Sequence, residues 1–590
     1  MSQPIRIANC SGFYGDRLAA AKEMVEGGPI DVLTGDWLAE LTMLILAKDR
    51  MKNPDGGYAK TFVRQMEQVM GTCLDRGIKV VANAGGLNPR GLAAALEEVA
   101  KKLGISPVVA FVEGDDLMPR LESIRVAGND LRNLDTGAQL GERPVITANA
   151  YLGGWGIVEA LNRGADIVVT GRTTDAALIV GPAAWHHGWA RDDWDRLAGA
   201  VVAGHVIECG TQATGGNYAF FTEVADLVHP GFPIAEIAAD GSSVITKHDS
   251  HAGAVTVGTV TAQLLYEITG PRYLNPDVTA RFDSIRLTEL APDQVAIEGV
   301  RGEPPPSTSK VCINLVGGMK ASFTFLLAGL DIEAKADLLL RGLWAALPQG
   351  RETFAQTEVD LIRTDHEDPE RNETAFAQLV VTFKDTDDTK FGRPLSAAIT
   401  ELGLASYPGF FGGPSDAKAY GVYWPTLVDS TLLTQEVVVG GDSTFVEPTL
   451  PPENAVEVPV EEPVDLPPTP SPTDEQTTRI PLGRIAGARS GDKGGNANLG
   501  VWVRTDEEWA WLESYLTVDR LRELMPEAMK LEVQRFEFPL IRSLNFVIVG
   551  LLGEGVASST RLDPQAKSLG EYLRAKFVDV PMTLSQGRDS

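Results

Sequence analysis

The sequence predicts an α/β protein: a large domain with a mostly parallel sheet flanked by helices, joined through an acidic, proline-rich segment to a small C-terminal α+β domain. Three observations predict it. A short apolar strand, a Gly/Asp/Asn turn and a helix recur in that order through the first part of the chain. Residues 447–479, EPTLPPENAVEVPVEEPVDLPPTPSPTDEQTTR, carry neither a helical nor a strand period. Strand and helix signals resume beyond residue 480, and 590 residues exceed what one core usually supports.

In the large domain (1–446), strands are expected over 5–10, 31–36, 79–84, 107–112, 144–150 and 166–170. Each runs into a polar turn, such as SGFYGD, NAGGLNP, EGDD or GRTTD. Parallel strands need crossover connections, and their ligands sit at the carboxyl ends of the strands. Polar residues gather at those ends: Asp16, Asp36, Asn83, Glu113, Asp115, Asp116, Asn149, Arg172 and Asp175. From about 190 to 446 the pattern loosens into a helix through Gly204, Gly-rich polar loops and strand-like stretches at 284–288 and 376–383, with a subdivision expected near 285. Residues 447–479 read as an extended spacer, or as a strap across a surface. In the C-terminal domain (480–590), strands over 480–488, 501–503, 531–538, 544–552 and 578–582 and helices over 507–524 and 563–576 approximate the order βαββαβ of a ferredoxin-like sandwich.

The formal charge of −28, from 80 acidic and 52 basic residues, makes nucleic acid and anionic membranes poor partners. Four cysteines without a C-x-x-C pair fit a reducing compartment. Neither a signal-peptide pattern nor a run of 18 apolar residues is visible, so a cytoplasmic location is expected. The dinucleotide, P-loop and G-x-S-x-G fingerprints are missing.

Five segments are candidates for chemistry. His205 and Glu208, spaced i, i+3, share one face of a helix and form a candidate acid/base pair, beside Cys209, which reads as a candidate nucleophile or, more simply, as a small buried hydrophobe. A helix end stopped by Gly210 is the plainer reading. The turn Thr214-Gly215-Gly216-Asn217 offers backbone amides for a developing oxyanion. Arg172, placed between a strand and a helix, suits an anion, with Asp175 counted among the catalytic candidates. His248, Asp249 and His251 form a substrate-side or metal cluster lacking a third zinc ligand. In the small domain, the loop bearing Arg489, Asp492, Lys493, Asn496 and Asn498 reads as an anion-binding turn or a tight hairpin. Arg535, Arg542 and residues 558–561 are candidates for the same surface.

The segments SGFYGDR, VLTGDWLAELTM, ANAGGLNP, VTGRTTDAALIVGPAAW, ECGTQATGGN, ARSGDKGGNANLGV and ASSTRLDPQAKSLGEYL resemble the acyclic terpene utilisation protein A family over nearly the whole chain, including its C-terminal ferredoxin-fold-like module. The resemblance implies a branched or isoprenoid-derived acyl-CoA as substrate and no cofactor beyond that CoA thioester. It also implies a neighbourhood of biotin-dependent acyl-CoA carboxylases. No catalytic residue is carried over from it. The expected function is lyase or hydration/dehydration chemistry in a homo-oligomer. The alternatives are a non-catalytic scaffold for an acyl-CoA carboxylase, and a hydrolase or lyase using a divalent metal.

Overall fold

The runs Val32–Gly35 and Ile167–Thr170 are buried at every position, which requires cover on both faces of their sheet. In the computed structural model, which describes residues 3–412, 416–453 and 476–585, both lie in the middle of an 11-stranded sheet. Across that sheet the order is Arg286–Ala291, Gln294–Glu298, Ser243–Lys247, Pro233–Ile237, Ile5–Asn9, Val32–Gly35, Lys79–Ala82, Ile167–Thr170, Val109–Glu113, Gln435–Val439 and Asp442–Val446.

The sheet is mixed, which corrects the mostly parallel expectation. Four pairings, joining the five central strands, are parallel. The six outer pairings are antiparallel. Hairpins make the difference: Gly440 and Gly441 both hold positive φ, the twist-matched turn that joins two edge strands without a crossover. The strand expected over 144–150 forms as Val145–Ala150 but pairs with the long strand Thr308–Ala328 outside this sheet. Helices on the sheet follow local signals. Pro89–Leu103, for instance, starts with Asn88 accepting from Gly91 N at 2.9 Å and Pro89 at its first position, and ends at left-handed Gly104.

The C-terminal domain carries an antiparallel four-stranded sheet in the order Gly487–Lys493, Asn496–Trp502, Ser543–Ile548, Val533–Phe538. Of the two readings of the segment 489–498, an anion-binding turn or a tight hairpin, the hairpin forms, with Lys493 opposite Asn496 across Gly494 and Gly495, and its strands extend further into the segment than expected. Its strands lack apolar alternation because their polar side chains face the large domain: Cβ atoms at Gly491 and Gly500 would meet the Tyr266 ring at 2.5 Å and Leu265 Cβ at 2.4 Å. The helix expected over 507–524 is two, Asp506–Tyr515 and Val518–Leu524, because Thr517 caps the second by accepting from Arg520 N. The helix expected over 563–576 is confined to Leu569–Arg574. Of the proline-rich segment, 454–475 lie outside the described residues, and Thr477–Pro481 is a strand paired with Phe577–Pro581.

Two compact units result. One comprises Met1–Asn314, Tyr423–Val556 and Asp563–Ser590, and therefore holds both the main sheet and the C-terminal domain; position 285 lies within it. The other comprises Leu315–Val422 and Ala557–Leu562. In that second unit Gln356–Ile362 and Phe376–Asp385 pair antiparallel beside the end of Thr308–Ala328, and helices Ile332–Ala346 and Arg393–Glu401 pack on one face through Phe323, Leu339, Phe383 and Leu395.

Candidate active site

The helix Trp194–Ile207 is buried continuously from Leu197 onward, and its glycines allow this: a Cβ at Gly199 would lie 2.0 Å from Gly241 O, and one at Gly204 2.9 Å from Ala176. It delivers His205 into the interior at 1% exposure. Glu208 follows one turn later, with its Oε1 3.2 Å from His205 Nδ1. The His205 ring packs against Tyr273 and Phe282, with centroids 5.0 and 5.3 Å away. The carboxyl end of the first strand meets this corner, where Asn9 Nδ2 donates to Glu208 O at 3.4 Å and Gly12 lies flat on the Cys209 backbone.

Burial pushes the Glu208 carboxyl well above its ordinary range, and Asp175 and Glu267 push the same way against Lys493 and Arg172. Burial, aided by Lys493, brings His205 down to about 4. At neutral pH the imidazole is therefore neutral, and burial favours the protonated form of the carboxyl beside it. A proton can be given or taken there without leaving an isolated charge in the interior. Glu208 Oε2 is buried without a hydrogen-bond partner.

Beside this pair, the strand ends bring Asp36, Asn83, Asp115, Asn149, Arg172 and Asp175 together. Arg172 N and Asn149 Nδ2 donate to Asp115 Oδ2 at 2.9 and 2.8 Å, while burial lifts Asp115 to about 7. Asn83 Nδ2 donates to Asp36, whose carboxyl is raised by burial and by Asp175. The terminal nitrogens of Arg172 are committed to Leu38 O and to Asp175 Oδ1, the latter at 2.9 Å, and its guanidinium stacks on Tyr151 at 4.2 Å. Arg172 thus fixes Asp175 in place. Tyr151 also lines a shallow surface cleft with Gly153, Asp277, Ser309, Ser430 and Gln435 among its walls.

The C-terminal domain reaches the same centre. Lys493 Nζ sits 5.8 Å from the Tyr273 ring, and its charge acts on both His205 and Glu208. Arg489 stacks on Tyr266 at 4.3 Å and donates to Gln212. Asp492 lies 3.6 Å from Lys567 Nζ. Asn496 and Asn498 are structural: Asn496 Nδ2 donates to Asp135 at 2.8 Å, and Asn498 Oδ1 accepts from Glu267 N at 2.7 Å. Tyr266, Glu267, Tyr273 and Lys567 were absent from the sequence candidates. Lys567 stands in a quoted segment, ASSTRLDPQAKSLGEYL, but a single lysine without spacing to a partner gave no signal.

Several expectations need correction. The amides of Gly215 and Gly216 donate to Gln212 O and Thr211 O, and the Thr214 hydroxyl to Thr211 O and Gly231 O, so these groups are spent inside their own turn. Asn217 is exposed at left-handed φ. The Cys209 thiol is raised by burial and by Glu208 and Glu267, which opposes the thiolate a nucleophile needs. His248 Nε2 pairs with Met24 O at 2.9 Å, and its ring stacks edge-on to His251. Among the described residues, no three His, Cys, Asp or Glu side chains are grouped to hold a metal. Arg535 is fully buried on Leu516 O, Glu513 O and Glu537, and Ser558 accepts from Lys384 in the second unit. Neither belongs to the centre. Among the described residues no helix is long and apolar enough to cross a membrane.

Fold and centre together define a mixed α/β protein whose buried cluster of titratable side chains is completed by a ferredoxin-like domain. The chain belongs to the acyclic terpene utilisation family: the model described as "Acyclic terpene utilisation family protein AtuA" matches residues 5–439, and the AtuA ferredoxin-like domain matches 480–579. No curated protein and no solved structure matches it.

Proposed function

We propose that this protein is an enzyme acting on a branched or isoprenoid-derived acyl-CoA by lyase or hydration/dehydration chemistry. The observation that carries the reading is the buried His205–Glu208 pair, 3.2 Å apart, in which burial favours the neutral form of both groups. Removing or returning a proton beside a thioester carbonyl needs such a pair, together with a positive group for the enolate oxygen. Lys493 fills the latter role, in place of the amides of 214–217. The family's link with acyclic terpene use supports an isoprenoid chain on the substrate.

Binding tests this directly. The full chain should gain thermal stability with a branched five-carbon enoyl-CoA, and the Lys493→Met variant should lose most of that gain. Equal stabilisation of both proteins, or none of either by any acyl-CoA, contradicts the reading.

A further inference from the structure

A second polar cluster lies where the large domain's segment 264–269 meets the hairpin of the C-terminal domain. Lys567 Nζ bonds the Tyr266 hydroxyl and stands 3.3 Å from Glu267 Oε1 and 3.6 Å from Asp492 Oδ1. Arg489 covers one face of the buried Tyr266 ring at 4.3 Å, and backbone without a Cβ, at Gly491, runs against its edge. The phenol is therefore held in one place by two cations and a strand.

Its neighbour is strained. Glu267 is a non-glycine residue at φ 57°, and its amide is clamped by Asn498 Oδ1 at 2.7 Å. Asn498 is in turn bonded to Asn545, which donates to Thr269 O at 2.7 Å. Two fully buried asparagines from the C-terminal domain thus force a disfavoured backbone that aims a carboxylate at Lys567. Such strain persists only where the surroundings over-determine it, and it gathers at functional sites. The Glu267 charge also reaches Glu208, His205 and Cys209, which ties this cluster to the acid/base pair already described.

The geometry points to Tyr266 and Lys567 as a second proton-transfer pair of the site, directed at an oxygen of the bound substrate, with Glu267 and Arg489 as positioning residues. The Tyr266 O–H bond breaks as the substrate O–H forms, and the Lys567 ammonium returns a proton to the phenolate. The neutral lysine then takes a proton from a solvent water, whose hydroxide leaves to bulk, so the net change is one proton moved from solvent to the substrate oxygen. Desolvation in the packed cluster brings Lys567 down to about 8 even though its side chain keeps 37% exposure, which suits an ammonium that must give up its proton near neutral pH and take one back from solvent. This inference rests on the acyl-CoA reading for its substrate, but not for its first test.

That test acylates the full chain with a small acid anhydride between pH 6 and 10 and reads each lysine by mass spectrometry. Lys567 should reach half its maximal reactivity near pH 8, and Tyr266→Phe should displace that midpoint. A midpoint shared with exposed lysines, or one unmoved in Tyr266→Phe, overturns the pair. Should Tyr266→Phe misfold, the same displacement is read in Glu267→Gln. With a turned-over acyl-CoA, Tyr266→Phe should lower kcat by about a hundredfold or more with little change in KM, and an unchanged kcat also overturns it. If wild-type protein binds no acyl-CoA while Lys567 keeps its profile, the substrate reading fails and the pair stands.

Discussion

Replacing Glu208 with Gln preserves the shape of a neutral carboxyl and removes its ability to ionise. The wild-type carboxyl has a folded-state pKa well above its ordinary 4.5, because burial outweighs Lys493 and Arg172. Below 4.5 both folded and unfolded states are protonated, and the group costs nothing. Above it the unfolded chain releases the proton and the folded one keeps it, so stability falls by about 1.4 kcal/mol per pH unit until the folded pKa is reached. Glu208→Gln lacks this loss. As pH rises above 4.5 its advantage over wild type should grow by about 1.4 kcal/mol per pH unit up to the folded-state pKa, on the order of 1 °C in melting midpoint per unit for a chain of this size. Paired thermal melts at pH 5, 6 and 7 measure it. A difference between variant and wild type that stays flat across those pH values would mean that Glu208 is ionised in the fold, and would refute the protonated-acid argument.

Gly500→Ala should separate the hairpin from the large domain, since its Cβ would fall 2.4 Å from Leu265 Cβ; a loss of about 1–3 kcal/mol, read as a lower melting midpoint, is expected. His205 should remain neutral in a nitrogen-resolved NMR titration down to pH of about 4. Its depressed pKa makes stability fall as pH drops from 6.5 towards 4, because the unfolded chain takes the proton first, and His205→Gln should flatten that acid limb.

The sequence made the strand-turn-helix units legible because buried parallel strands such as Ile167–Thr170 are short, mainly apolar runs that lead into a polar, glycine-bearing turn. The antiparallel edges were not legible as such, since pairing direction depends on which hairpin folds back and not on the composition of either strand. His205 and Glu208 were found because helical spacing puts them on one face, and the structure joins them at 3.2 Å. The extent of the strands flanking Gly494 was not legible for the opposite reason: these polar strands are buried against another domain, a surrounding that local periodicity does not record. The same holds for Tyr266 and Lys567, which are 301 positions apart and meet only through the docking of the two domains.

The central claim is that the His205–Glu208 pair moves a proton beside a thioester carbonyl. It is tested most directly by proton NMR of a branched acyl-CoA incubated with the full chain in heavy water. Wild-type protein should exchange the hydrogens on the carbon next to the carbonyl for deuterium, and Glu208→Gln should slow that exchange by about a hundredfold or more. Exchange at equal rates in both proteins, or none with wild type across linear and branched thioesters, would contradict the claim.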